Sequence, residues 1–288
     1  MLIPMLQRNS LRNPTISHSS KETWTTQHPS SRTSNAKLQP LYGVSSACRY
    51  VESTQQNHHQ PIIQTANPKN DTERRQGIAL IDESIKQDVK FFVYSSVDRH
   101  GSDSDHNPTQ VPHFIYKHEI EAHLKERTIG KNMEWTILRP VAFFENLTPD
   151  YFGKLFATAW KMRLKGKPLQ LVATSDIGFF AAAAFMNPEA SKNHAFSLAG
   201  DELTFDEMAS TFKSMTGKNV PMTFRFPAWL MLTAVKELGV MFKWFYDQGY
   251  RADIPALKKI HPGLKTFGDW LKEDSLFETL WCFIAGAE

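Results

Sequence analysis

His113 and Lys117 stand four residues apart in a stretch whose apolar spacing predicts a helix over Pro112–Thr128. Residues at that spacing share one face of a helix, so an imidazole and an ammonium would lie side by side. A histidine titrates near neutrality and can relay a proton, although a histidine on a helix surface is the commoner case. A lysine at this position is either a site residue or a solvated helix lysine.

Two small hydroxyl residues, Ser95 and Ser96, end an apolar run that begins at Val89. Such a run is typical of a buried parallel strand. Ligands of open α/β sheets bind beyond the carboxyl ends of the strands, which would place both hydroxyls near a ligand. Small hydroxyl residues that end a strand are also ordinary turn residues, and the sequence leaves both interpretations open.

A third group of candidates follows the predicted strand Trp135–Pro140, which Pro140 ends. Phe143, Phe144 and Asn146 come directly after it, where aromatic residues fit a pocket wall and a core equally well. A late aromatic cluster is predicted to pack a small C-terminal lobe, with a substrate cleft or a partner surface as alternatives. Its members are Trp229, Phe242, Trp244, Phe245, Tyr246 and Tyr250.

The elements that must position these residues alternate from about residue 71 onward. Apolar spacing and caps predict helices over residues 71–86, 112–128, 151–164, 177–185 and 204–216. Short apolar runs predict strands over residues 89–96, 135–140, 169–173 and 195–199. Strands separated by helices of this length imply right-handed crossovers. The predicted fold class is therefore α/β, with a parallel sheet that carries helices on both faces.

The glycine-rich turn with which a Rossmann-type domain grips pyrophosphate has no counterpart in this chain. Such glycines let the backbone approach the phosphates and direct amide groups at them. Gly43 is the one glycine before Gly77, and no two of the 14 glycines form a Gly-x-Gly pair. The sequence therefore predicts that the pyrophosphate loop is missing.

The composition changes sharply near residue 75. Met1 to about Gln60 is rich in Ser, Thr, Asn, Gln, Pro and His without a sustained apolar period, which predicts a disordered leader. The first 37 residues carry Arg8, Arg12 and Arg32 and also mimic a mitochondrial transit peptide. Localisation is expected in the cytoplasm or nucleus, with mitochondrial import as the alternative.

Charge and apolar content exclude several classes of function. The net charge of +3 is slight for 288 residues and forms no basic stripe, so direct nucleic-acid binding is not expected. The most apolar stretch, Phe226–Phe245, is interrupted by Lys236, Glu237 and Lys243, which fits an amphipathic helix better than a membrane span. The two cysteines are far apart and predict neither a disulfide nor a metal site.

Six segments carry a resemblance to a known family. They are Gln76-Gly-Ile-Ala-Leu-Ile-Asp with Lys90-Phe-Phe-Val-Tyr-Ser-Ser-Val-Asp-Arg, His113-Phe-Ile-Tyr-Lys-His-Glu-Ile-Glu, Leu138-Arg-Pro-Val-Ala-Phe-Phe-Glu-Asn, Asp176-Ile-Gly, Leu198-Ala-Gly-Asp-Glu-Leu-Thr and Thr266-Phe-Gly-Asp-Trp-Leu. In this order they resemble the NmrA-like family of atypical short-chain dehydrogenases/reductases, over roughly two thirds of the chain. The resemblance implies a Rossmann-type sheet that here lacks its first strands and its Gly-rich loop, with a small α-rich C-terminal lobe.

The resemblance also implies roles for the candidate residues. Typical members of the superfamily use Tyr-x-x-x-Lys, and His113 stands here where the tyrosine would be. NmrA-type regulators lack that tyrosine and bind the dinucleotide without turnover, whereas isoflavone-reductase-like enzymes lack it and use a lysine. Lys117 is then the ribose ligand and the candidate catalytic residue. The expected residues of an NADP(H) or NAD(H) site are Ser95, Ser96, Lys117, Pro140, Phe143 and Asn146, with no metal.

The front of the chain departs from the family. Pro61-Ile-Ile-Gln-Thr-Ala-Asn-Pro resembles a degraded form of the strand before the first retained helix, and the strands ahead of it have no match. The sheet would then begin at its middle, with an exposed edge. We expect four parts: a leader over residues 1–60, a partial Rossmann domain over 61–200, a lobe over 201–275 and a tail over 276–288.

The predicted function follows from the family. We expect an NAD(P)(H)-dependent oxidoreductase acting on a small metabolite, such as a tailoring step in fungal-type secondary metabolism, with weak or absent cofactor binding in this chain. One alternative is a non-catalytic NADP(H)-sensing regulator that acts through a protein partner. The other is an inactive, truncated product.

Overall fold

The computed structural model describes residues 45–50, 61–64 and 71–278. Its main sheet contains β1 (Ser45–Tyr50), β2 (Pro61–Gln64), β3 (Phe91–Ser95), β4 (Glu134–Pro140) and β7 (His194–Leu198), in the order β2-β1-β3-β4-β7. The strands β3, β4 and β7 are parallel. Phe92 of β3 is paired with Trp135 of β4, and the first four residues of β3 are buried, as the continuous apolar run predicts.

Helices cover both faces of this sheet. On one face, α1 (Thr72–Lys86) and α2 (Pro112–Thr128) pack through Ile81, Ile120 and Leu124 against β3 and β4. On the other face, α4 (Thr174–Met186) packs its Phe180 and Ala184 against the opposite side of the same strands. The α/β, Rossmann-type fold class is confirmed, and α2 has the predicted limits.

The edge of β3 differs from the prediction. Ser45–Tyr50 lies inside the segment predicted to be disordered, yet it forms β1 and pairs antiparallel with β3. Pro61–Gln64 is a strand, as the resemblance implies, and it pairs antiparallel with β1. Unpaired backbone amides at the edge of a sheet can pair with any extended segment that reaches them. Amino-acid composition does not encode this pairing, and for this reason β1 was not predicted. The other residues of the expected leader lie outside the described part of the chain.

A second, smaller sheet and further helices complete the described chain. The order β5-β6-β8 joins β5 (Ala142–Phe143), β6 (Leu169–Val172) and β8 (Asp201–Leu203). The remaining helices are α3 (Tyr151–Leu164), α5 (Pro188–Ser191), α6 (Phe205–Thr216), α7 (Arg225–Ala234), α8 (Lys236–Asp247), α9 (Ile254–Ile260) and α10 (Phe267–Glu273). The helix α6 has a capping box from Thr204 and Glu207 and ends at Gly217 in the left-handed conformation.

The helices α7 and α8 occupy the apolar stretch for which one amphipathic helix was expected, and Val235 separates them. They share a core with the Rossmann part, because the ring of Phe114 on α2 lies 5.2 Å from that of Trp244 on α8. In the part of the chain described here, no helix is long and apolar enough to cross a bilayer. The contact between α2 and α8 places the candidate site between these two parts.

Candidate functional site

A cavity of about 100 Å³ lies at the carboxyl ends of β3 and β4. Its polar wall consists of Ser95, Ser96, His113 and Lys117. Its lobe wall, supplied by α7 and α8, consists of Met231, Leu238, Met241, Phe242 and Phe245. A cavity needs about 10–15 Å³ on this measure to hold one water molecule, so this one has room for a small ring compound.

The structure brings the sequence-predicted residues together. All six candidates for cofactor binding line this one cavity, namely Ser95, Ser96, Lys117, Pro140, Phe143 and Asn146. Phe144, which the sequence left between pocket and core, is fully buried and stacks on Trp270 at 5.6 Å, so it belongs to the core. The late aromatic cluster divides: Phe242, Phe245 and Tyr250 line the cavity, and Trp229 is half exposed. The roles of these residues remain predictions.

Lys117 is buried rather than solvated, which overturns the interpretation as a surface lysine. Its side chain is 8% exposed and its Nζ lies 3.1 Å from Oε1 of Glu73, a residue that is itself 2% exposed. The same Nζ donates to the carbonyl oxygen of Ser95 at 3.4 Å and lies 5.7 Å from the centre of the Tyr94 ring. The sequence did not identify Glu73, because an acid in the first turn of a helix is normally explained by the helix dipole.

His113 is also not a surface residue. Its Nδ1 lies 2.6 Å from Oε1 of Glu237, and the two side chains are 17% and 7% exposed. Glu237 belongs to the first turn of α8, so this pair links α2 to the lobe. The sequence treated Glu237 as a charge that faces water, since nothing local indicates a partner 124 positions away.

Ser96 is held by a buried cluster of charges. Its hydroxyl donates to Glu121, which also accepts from Arg99 Nη2 at 3.0 Å and from Arg139 Nε at 3.1 Å. Burial alone would raise the pKa of the Glu121 carboxyl, but the charge of Arg99 and the hydrogen bonds from both arginines lower it. Glu121 is therefore ionised at neutral pH. The cluster fixes the ends of β3 and β4 relative to α2.

Two buried tyrosines near the cavity stay neutral. Burial raises the pKa of the Tyr94 phenol well above its ordinary value, and the charges of Glu73 and Glu121 raise it further. Burial also raises the pKa of the Tyr250 phenol well above its ordinary value, and the charge of Asp98 raises it further. Tyr250 lines the cavity, whereas Tyr94 does not. Neither phenol can supply the ionised tyrosine of a Tyr-x-x-x-Lys site at ordinary pH.

The residues fit one end of a nicotinamide dinucleotide. Lys117 Nζ and the Ser95 hydroxyl are the kind of donors that a ribose and a carboxamide need, whereas the Ser96 hydroxyl donates to Glu121 and offers a ligand only an acceptor. These residues share a cavity with apolar surface for a ring.

Among the described helices beside the cavity, none has an N-terminus suited to bind the pyrophosphate of such a dinucleotide. The N-cap of α1 is Asp71, α2 begins with Pro112, and Asp150 occupies the first amides of α3. Acids at a helix N-terminus repel a diphosphate.

Residues 71–278, together with the two strands ahead of them, contain no group of three or more His, Cys, Asp or Glu side chains that could hold a metal ion.

Comparisons with known proteins show the family and the fold of this chain. The pattern of the NmrA-like family matches residues 56–271. Among solved structures, NmrA, a negative transcriptional regulator, has a TM-score of 0.52 at 15% identity over 70% of each chain. A nucleoside-diphosphate-sugar epimerase from Staphylococcus aureus has a TM-score of 0.52 at 14% identity, over 74% of this chain and 75% of its own.

A triphenylmethane reductase from Citrobacter sp., solved with NADP(H), has a TM-score of 0.50 at 17% identity over 70% of each chain. At these identities the likeness shows the fold. No curated protein matches the sequence significantly.

Proposed function

Because the chain belongs to the NmrA-like family, we propose that it is an NAD(P)(H)-dependent oxidoreductase acting on a small apolar metabolite. One observation carries the proposal: six residues chosen from the sequence as a cofactor site, with the buried Lys117 among them, line a single cavity at the carboxyl ends of parallel strands. This is where open α/β sheets bind their ligands.

Each wall of the cavity would have its own task. Lys117, Ser95 and Ser96 would hold the nicotinamide riboside through charge-assisted and neutral hydrogen bonds. Phe143 and Asn146 would flank the ring, and the apolar lobe wall would exclude water from the substrate. A bound dihydronicotinamide would supply a hydride. The protein itself would orient the cofactor and the substrate, exclude water, and supply the hydrogen-bond donors of the polar wall.

Cofactor binding is expected to be weak. Hydrogen bonds to a charged group contribute about 1.5–3 kcal/mol each. Loss of rigid-body freedom costs at least about 4 kcal/mol. One lysine and two serines, without amides for the pyrophosphate, therefore give a high-micromolar or weaker dissociation constant.

Consumption of NADPH over a panel of small apolar carbonyl compounds tests the proposal. We expect slow turnover at millimolar NADPH that is lost in the double variant Lys117→Met/Glu73→Gln, which removes both charges so that neither is left buried alone. Lys213→Ala on the exposed face of α6 is the matched control and should keep full activity. Absence of turnover with every carbonyl, at saturating NADPH, would rule out the enzymatic proposal.

A second candidate is a regulator that binds the dinucleotide without turnover. The observation that favours it is an exposed apolar group at the start of α7, where Phe226 stacks on Trp229 at 6.0 Å and Phe224 is 85% exposed. Apolar surface of this kind is typical of contact with a protein partner. Binding of NADPH with no consumption over the same panel would support this candidate over the enzyme.

A further inference from the structure

The helix α7 turns apolar side chains toward solvent. It packs on α3 and α8, with Ala228 and Leu232 on its buried side. Its other side carries Phe226, Trp229 and Leu230 at the three- and four-residue spacing of a second helical stripe. Contiguous exposed apolar residues of this kind mark an interaction site. We call the exposed residues of this stripe and of the segment before it the α7 surface: Met222 (43% accessible), Phe224 (85%), Phe226 (68%), Trp229 (48%) and Leu230 (49%).

The α7 surface offers few hydrogen bonds. Thr233 continues the stripe by one turn, but its hydroxyl lies 2.9 Å from the carbonyl oxygen of Leu230 and bonds to its own helix. Within residues 222–234, the exposed side chains that still have a donor are Arg225 and Trp229. A protein interface carries about one hydrogen bond for every 100–200 Å². A surface with so little capacity for hydrogen bonding fits lipid better than it fits a protein partner.

The charge around the α7 surface is positive. Residues 217–236 contain no aspartate or glutamate. Glu237, the next residue, is buried, and Lys218 shares its charge with Glu278 at 3.3 Å. The other cations of this stretch are exposed, namely Arg225 and Lys236. Exposed aromatic rings beside cations, without acids, are typical of helices that lie on anionic lipid.

We propose that the α7 surface binds the headgroup region of an anionic lipid bilayer. Phe224, Phe226 and Trp229 enter the boundary between headgroups and acyl chains, where amphipathic and aromatic side chains are stabilised. Arg225 lies at the level of the lipid phosphates, which accept hydrogen bonds from its guanidinium. The 10 residues of α7 form a helix about 15 Å long, half the hydrocarbon thickness of about 30 Å, so α7 lies in the interface and does not span it.

Sedimentation with sucrose-loaded vesicles tests binding of the full chain, without cofactor or substrate. We expect binding to vesicles of phosphatidylcholine that contain phosphatidylserine. The double variant Phe226→Gln/Trp229→Gln should lose at least about tenfold in affinity, because less apolar area then enters the bilayer. The matched control is Ile129→Gln/Met186→Gln, at positions 78% and 79% accessible, and it should stay within about twofold of the wild type. Equal binding by the double variant and the wild type would overturn the proposal.

The composition of the vesicles separates charge from apolar contact. Arg225→Gln should weaken binding to anionic vesicles about fivefold, which is the contribution of one cation near such a surface. It should leave binding to pure phosphatidylcholine unchanged. Lys86→Gln on α1, where the side chain is 70% accessible, removes an equal charge elsewhere and is the control. A wild type that binds both kinds of vesicle equally would contradict the proposed anionic bilayer.

Fluorescence locates the contact with lipid. Brominated lipids quench tryptophans that enter the bilayer, and the chain has seven of them. Trp229→Phe should bind vesicles as the wild type does, because phenylalanine keeps an aromatic ring, but the bound protein should lose most of the quenching. Unchanged quenching in this variant would show that another part of the chain meets the lipid, which would sink the proposal.

Other occupants of the α7 surface give different results. A second copy would appear in sedimentation equilibrium as a dimer that does not bind vesicles and that Phe226→Gln/Trp229→Gln returns to monomer. A monomer that ignores vesicles would mean that the surface is covered by the chain's own residues or by the protein partner of a regulator. Either result overturns the proposal. The substituted side chains are exposed, so melting curves by circular dichroism should match the wild type. Because no NADPH is present, the oxidoreductase proposal can fail without changing these outcomes.

Discussion

The polar wall and the lobe wall of the cavity are held in place by different forces. Behind the polar wall lie buried charges, with Glu121 bonded to Arg99 and Arg139 and Glu73 bonded to Lys117. Behind the lobe wall lie ring contacts such as Phe242 on Phe156 at 5.7 Å. Buried charges demand fixed geometry, whereas apolar packing tolerates a change of shape at constant volume. We therefore expect the polar wall to set the chemistry and the lobe wall to set the range of substrates.

The largest effect is expected behind the polar wall. Glu121→Ala leaves Arg99 and Arg139 buried without their shared carboxylate, which should cost about 3–5 kcal/mol of unfolding free energy. Urea denaturation followed by circular dichroism measures this. Glu278→Ala, whose side chain is 73% exposed, is the control and should stay within about 0.5 kcal/mol. A loss under about 1 kcal/mol for Glu121→Ala would mean that the charges do not hold this wall.

A double-mutant cycle measures the interaction energy between Lys117 and Glu73, apart from the packing of each side chain. Lys117→Met and Glu73→Gln each remove the attraction between the two opposite charges, and each should cost about 1–3 kcal/mol. The double variant should cost less than the sum of the two, because neither charge then remains. Additive losses would indicate that the two groups do not interact.

The pH dependence of stability also tests whether charges hold the polar wall. Burial alone would raise the pKa of Asp105, but hydrogen bonds and charge from Lys125 and Arg139 lower it from 3.8 to about 2. A carboxyl with a lowered pKa stabilises the folded state above its unfolded pKa and loses that contribution as pH falls through the folded one. Because its side chain is 43% exposed, we expect only about 1 kcal/mol, reduced by solvent screening.

Asp105→Asn should therefore be about 1 kcal/mol less stable than the wild type at pH 7. The difference should shrink between about pH 4 and pH 2. Urea denaturation at pH 7, 5 and 3 measures it. A difference that is constant with pH would contradict the assigned charges.

The smallest effect is expected on the lobe wall. Met241→Leu keeps volume and apolar character, so it should cost less than about 1.5 kcal/mol, with no dependence on pH. It should change the preference among apolar carbonyl compounds more than it changes NADPH affinity. An equal change in both would show that the walls do not have separate tasks.

The sequence predicted the polar wall better than it predicted what supports it. Ser95 and Ser96 were found because a strand end is a local signal, and Lys117 because the resemblance to the family marks its position. Glu73 and Glu237 were missed because their partners are distant along the chain. Each acid also has a local explanation, since Glu73 lies in the first turn of a predicted helix and Glu237 fits the water-facing side of an amphipathic one. The same limit explains β1, whose pairing depends on an edge that local composition does not encode.

We propose that the polar wall holds the nicotinamide end of a dinucleotide through Lys117, without help at the pyrophosphate. Titration calorimetry with NADPH on the full chain measures this binding. We predict a high-micromolar or weaker dissociation constant for the wild type and for Lys213→Ala, and no detectable binding by Lys117→Met/Glu73→Gln. Tight binding of NADPH that the double variant leaves unchanged would contradict the claim.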